Sequence, residues 1–113
     1  MMGRLYYGES RIVVEFDDRT LAHLQIIIRD KLLHSSGFFL TWTDDTSVGS
    51  GHSSIWLERS IPLRFHFSSA RPQQINREWL HQLMLSANKL EGMRLVAEPG
   101  ITNNAPRPLS HVR

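Results

Sequence analysis

Apolar and polar residues alternate over some stretches of this chain and recur at helical spacing over others, and the changes of period mark out six strands and two helices. Ile12, Val14 and Phe16 share one parity and Val13 and Glu15 the other, the period-two pattern of a half-buried strand. The aromatic run Leu5-Tyr6-Tyr7 precedes it across Gly8-Glu9-Ser10, so the two segments are expected to pair as a β-hairpin, with the register left open. Beyond Asp17-Asp18-Arg19-Thr20 the period changes: Leu21, Leu24, Ile28 and Leu32 recur at spacings of three and four, which predicts a helix over residues 19–34. Ile26-Ile27-Ile28 widens its apolar face with β-branched side chains of low helix propensity, so tertiary burial or a subunit interface must stabilise it. Ser35-Ser36-Gly37 ends it.

Phe38 to Thr43 predicts a third strand, with Phe39 and Thr41 on one face and Phe38, Leu40 and Trp42 on the other. Residues 44–54, DDTSVGSGHSS, read as a flexible polar connection in which Gly49 and Gly51 have the greatest backbone freedom. A strand follows from Ile55 to Arg59, and Pro62 separates it from Leu63–Phe67, where Leu63, Phe65 and Phe67 alternate with Arg64 and His66. A second helix is expected over 75–90, with Asn76 as candidate N-cap and Trp79, Leu80, Leu83, Met84, Ala87 and Leu90 on its apolar face. Gly92 breaks it, Arg94–Glu98 forms a last short strand, and 100–113 is expected to be a disordered tail.

The resulting order, β-β-α-β-β-β-α-β, predicts a single α+β domain over 3–99: an antiparallel or mixed β-sheet covered on one face by two amphipathic helices. The opposite sheet face is then unaccounted for. Trp42, Trp56, Tyr6 or Tyr7, Val13 and Phe38 are its candidates, and they are too apolar to stay exposed without a reason. A homodimer, or a sheet closing toward a barrel, would cover them.

Composition narrows the chemistry. The 113 residues include 13 basic and 11 acidic side chains and six His, but no Cys, which excludes disulfides, thiol catalysis and cysteine-based metal sites. Lys31 and Lys89 are the only lysines, so the basic residues are almost all Arg. Neither a membrane span nor a secretion signal is evident, and a soluble cytoplasmic protein is the expectation. Asp17-Asp18 reads as a helix cap and Asp44-Asp45 as loop solubility, rather than as metal or acid-base sites. The scattered His residues contain no zinc spacing, and Gly49-Ser50-Gly51-His52 lacks the Lys of a phosphate loop. No catalytic residue, metal or cofactor is therefore assigned.

One constellation has functional colour. Arg59, Arg64, His66 and Arg71, with Trp42 and Trp56, would suit single-stranded nucleic acid if they shared a strand surface, with Arg on phosphates and rings on bases. The competing reading packs the rings on the second sheet face and leaves the Arg side chains as strand exteriors. The leading expectation is thus a small, non-enzymatic, self-associating interaction protein. The alternatives are a nucleic-acid-binding accessory factor for DNA processing and an enzyme with an unrecognised site.

DDRTLAHLQIIIRDKL, SIWLERSIPLRFHF, NREWLHQLMLSANKLEGMRLVAEP and the opening GRLYYG together resemble a family of small actinobacterial proteins of about a hundred residues. Its members often carry the label ATP-dependent DNA ligase, and the resemblance implies no established function and no catalytic residues to transfer. Ligation of that kind needs a Lys-adenylate in a Lys-x-Asp-Gly motif. Lys31 is followed by Leu32-Leu33-His34 and Lys89 by Leu90-Glu91-Gly92, with Glu where the motif has Asp. A chain of 113 residues also lacks room for separate lid and DNA-encircling domains, so a free-standing ligase is not expected.

Overall fold

The hairpin at the start of the chain forms: β1 (Met2–Tyr7) pairs antiparallel with β2 (Ile12–Asp17), in register from Met2↔Asp17 to Tyr7↔Ile12. The computed structural model describes residues 1–9, 12–35, 37–44 and 51–100, so the expectations for Gly49 and for the tail from 101 onward lie outside the described residues. Next come α1 (Asp18–His34), β3 (Gly37–Thr43), β4 (His52–Glu58), β5 (Leu63–His66), α2 (Arg77–Ala87) and β6 (Met93–Arg94). The order is the expected one and the fold is α+β.

The strands do not share one sheet. Antiparallel β2-β1-β5 forms the first, and β4-β3-β6, with β6 parallel to β3, forms the second. Pro62 sits where the chain leaves the second sheet for the first, and its carbonyl accepts the Gly8 N–H at 2.9 Å. A proline cannot donate to a ladder, so the break falls where a ladder must end anyway.

Local boundaries differ from expectation for identifiable reasons. The polar run ends earlier than its composition implies, because β4 begins at His52 and its serines are satisfied across the strand pair. The Ser54 and Thr41 hydroxyls lie 2.6 Å apart, and the Ser53 hydroxyl donates to Asp44 at 2.8 Å. Asp17 is the N-cap of α1 by position, but its side chain makes no capping bond. The Asp18 carboxylate instead accepts the Ser68 N–H, the Ser68 hydroxyl and the Ser69 N–H, tying α1 to the turn after β5. Burial opposes its charge, but these hydrogen bonds outweigh burial and hold its pKa below the ordinary value. Asn76 does cap α2, its Oδ1 accepting the N–H groups of Glu78 and Trp79 at 3.0 and 3.1 Å.

Helix α1 is the centre of the core, packing on β1 and β2 of the first sheet, β3 of the second, and α2. Leu21, Leu24 and Ile27 are completely buried, and full burial of each such side chain contributes about 1.5–3 kcal/mol. Gly3 of β1 lets the helix approach, since a Cβ there would lie 2.8 Å from Leu21 Cδ2. The sheets also meet directly: Phe16 and Trp42 pack edge to face at 5.6 Å, and the Tyr7 hydroxyl donates to the Trp56 carbonyl at 2.5 Å.

A partly buried polar knot joins α1, the start of α2 and the C-terminal segment. Arg19 grips the Glu98 carboxylate with Nε and NH2, at 2.9 and 2.6 Å to the nearest oxygens, and donates through NH1 to the Gln74 carbonyl at 2.7 Å. Asn76 Nδ2 donates to Glu98 at 2.8 Å and to the Pro99 carbonyl at 3.1 Å. His23 Nε2 accepts the Asn76 N–H at 2.9 Å, which places the ring proton on Nδ1, 2.7 Å from the Arg19 carbonyl. The neutral tautomer is therefore built in. Burial above all lowers the His23 pKa. Burial would raise the Glu98 pKa, but the hydrogen bonds of Arg19 and Asn76 and the Arg19 charge lower it on balance.

Two outcomes test this account. Below the ordinary His value of 6.5 the unfolded chain binds a proton at His23 that the native chain resists. The His23 contribution is thus fully present above that pH and is lost as pH falls through the window below it. The urea midpoint should decline from pH 7 to pH 5, and the decline should flatten in His23→Gln; an unchanged slope would refute the neutral-histidine account. Gly92, with φ +94 and a Cβ position 2.5 Å from the Phe39 carbonyl oxygen, should cost about 1–3 kcal/mol when changed to Ala. Gly51→Ala, whose Cβ would meet nothing closer than 3.7 Å, should leave the urea midpoint nearly unchanged.

Candidate interaction surfaces

The six residues singled out in the sequence do not converge. Trp42 points inward from β3 and is buried, whereas Trp56 points outward from β4. Arg59 lies beyond the end of β4, where its Nε donates to the Leu32 carbonyl at 2.7 Å and satisfies part of the last turn of α1. Arg64 and His66 share the outward face of β5 in the other sheet, and Arg71 is exposed in the connection to α2. The structure thus groups Arg64 and His66, in register with Tyr6 and Arg4, and separates them from both Trp residues. On that face the Arg64 guanidinium lies 4.7 Å over the Tyr6 ring, and Arg4 donates to Glu15 at 3.4 Å.

The residue missing from the sequence reading is Phe39. It stands directly opposite Trp56 in the β3-β4 register, and the two rings meet edge to face at 5.1 Å on the outer face of the second sheet. They remain 46% and 39% exposed. Parity within β3 already set Phe39 apart from Phe38, Leu40 and Trp42, but pairing it with Trp56 required the register. Phe38 and Trp42, expected on the surplus face, belong to the core instead.

Neighbouring groups fix this aromatic pair. Trp56 Nε1 donates to Glu58 at 3.0 Å, and Glu58 also accepts the Ser60 hydroxyl. These bonds, that of Ser60 foremost, hold the Glu58 pKa below its ordinary value. On its other side Phe39 abuts Gly92, which also lines a cleft of about 520 Å³ between α2 and β6 containing Leu85 and Val96. Lys89, Arg94 and Glu91 line the same cleft, so both signs of charge border the apolar surface. The Lys89-Leu90-Glu91-Gly92 near match is the turn that closes α2, with the Gly92 N–H bonded to the Lys89 carbonyl at 3.0 Å.

Other hollows are differently furnished. A cleft of about 440 Å³ at the start of α1 holds Asp17, Asp18 and Arg19, but Asp18 is engaged by Ser68 and Ser69, Arg19 by Glu98, and Asp17 lies 3.9 Å from the N-terminal ammonium. Among the described residues, no group of three or more His, Asp or Glu is placed to hold a metal ion. No described helix is long and apolar enough to cross a membrane.

No curated protein and no solved structure matches this chain. A family model covers residues 2–98, nearly everything described above, and the chain belongs to that family, described as "Domain of unknown function (DUF7882)".

Proposed function

We propose that this chain is a protein-interaction module that works without catalysis and self-associates through the outer face of its second sheet. The exposed Phe39–Trp56 pair carries this reading. Leu85 at 53% and Val96 at 38% exposure extend the apolar surface along the adjoining cleft. Aromatic rings bury large areas and dominate interface energetics, and Trp, Tyr and Arg are enriched among the residues that carry most of the binding energy. A second copy suits the surface because its border carries Arg94 and Lys89 beside Glu58 and Glu91. A two-fold axis through one patch lets each charge face its opposite on the other copy.

The nucleic-acid reading has narrower support in Arg4, Arg64 and His66 around Tyr6. There the ring is already covered by Arg64 and Arg4 is paired with Glu15, which leaves no open platform for a base.

Light scattering across a concentration series should give a mass above that of the 13.1 kDa chain that rises with concentration. Phe39→Lys and Trp56→Lys should each return it to the monomer, while Thr43→Lys on the same face should not; a strictly monomeric wild type would refute self-association. Fluorescence anisotropy with a single-stranded oligonucleotide at low salt should stay flat. Salt-sensitive binding abolished by Arg64→Ala would put the nucleic-acid reading first.

A further inference from the structure

Strand β5 ends the first sheet, and its free edge faces a groove. The Gly8 N–H bonds the Pro62 carbonyl, and β1 and β5 continue in register through Tyr6↔Arg64 and Arg4↔His66. The alternation of an antiparallel ladder then turns the backbone groups of Arg64 and His66 toward β1, and those of Leu63 and Phe65 away from it. The Leu63 and Phe65 side chains, with Ile28, Leu32 and Leu33 of α1, line a groove of about 380 Å³. A second hollow of about 310 Å³ continues it past Gln25 and Ile26 to Phe67 and Ile75. From Ala22 to Leu33 the helix side of this surface is about 16 Å long, the length of about five residues of strand. Helix α1 therefore overhangs the place of a fourth strand.

The surroundings of that place are basic. Arg29 lies on α1, Arg59 and Arg71 line its two ends, and Arg64 projects from the outward face of β5. Arg4 and Arg19 have carboxylate partners, but among the described residues none stands within ion-pair distance of these four. Leu33 is 66% exposed beside them. Apolar floor, open backbone edge and cations with no carboxylate partner among the described residues define one ligand chemistry. A second folded copy does not supply it: β2 alternates apolar and acidic residues, but its Phe16 is completely buried under its own helix.

We propose that the groove takes an extended segment of a partner polypeptide as a fourth strand of the first sheet, with apolar side chains at alternate positions and carboxylates between them. Its backbone pairs with Leu63 and Phe65, its apolar side chains enter against α1, and its carboxylates lie beside Arg64. Carboxylates at its ends reach Arg59 and Arg71. In such strand addition the main chain supplies affinity and the alternating side chains supply specificity. The site is separate from the Phe39–Trp56 face.

The full chain should be titrated with short labelled peptides alternating Val with Glu, Val with Lys and Val with Ser. The Val/Glu peptide is expected to bind at least about tenfold more tightly than the Val/Lys peptide at low salt. Hydrogen exchange should show the Leu63 and Phe65 amides newly protected. Arg29→Glu with Arg64→Glu should reverse the order of the two charged peptides, a result that an unfolded variant cannot give. Trp56→Lys should leave Val/Glu affinity unchanged, so loss of self-association and loss of peptide binding are read separately. Equal affinity for all three peptides, or binding without protection at Leu63 and Phe65, would overturn the proposal. Displacement of the peptide by an oligonucleotide would reassign the surface to nucleic acid.

Discussion

Helix α1 carries more apolar surface than one sheet can cover. At 100° per residue its buried apolar positions Leu21, Leu24, Ile27 and Ile28 span about 120°, and the buried His23 widens the covered arc to about 160°, beyond the ordinary stripe of a surface helix. The β-branched run at Ile26-Ile27-Ile28 gives little intrinsic helicity, so the helix persists because it is enclosed. Enclosure needs β1 and β2 on one side, β3 on another and α2 on a third. Division of the strands into two sheets follows from that geometry, as does the crossing of the chain between them at Pro62.

Enclosing α1 with a second helix brings polar groups into the interior, and the knot around Asn76 shows how they are satisfied. One side chain caps α2, holds Glu98 and fixes the Pro99 carbonyl, while its backbone N–H orients His23. The His23 ring packs against Trp79 with centroids 4.5 Å apart, so hydrogen bonding and ring packing set the same orientation. The Arg19–Glu98 pair compensates the burial of its carboxylate with bidentate geometry and a third donor from Asn76. A half-satisfied version of this cluster would cost more than an apolar one, which makes it a strong determinant of where the C-terminal segment lies.

With α1 at the centre, each sheet keeps one face uncovered by the described residues. The first sheet sets charged side chains on its face and stacks the Tyr6 ring under Arg64; the second leaves Phe39 and Trp56 in the open. The short first sheet also stops at β5 while α1 continues past it. Both proposed contact surfaces thus arise from the same cause, a helix enclosed by two sheets of three described strands each.

Strand parity, helical spacing and breaker residues are local properties, so the order of elements, the common face of Phe38, Leu40 and Trp42 (though not that it points inward), the core stripe Leu21, Leu24 and Ile28, and the Asn76 cap were legible from sequence alone. The role of Asp18 was not, because its partners at Ser68 and Ser69 are fifty residues away and a capping aspartate looks the same on paper. Trp42 and Trp56 read alike as strand aromatics, and only the register, which puts Trp42 opposite Ser53 and Trp56 opposite Phe39, separated core from surface. The basic residues of the candidate site followed the same logic: Arg64 and His66 kept their predicted shared face, while Arg59 was drawn away to the end of α1. Periodicity tells each side chain which face of its own element it occupies; which element covers that face depends on long-range pairing, and that was decided only by how the chain encloses α1.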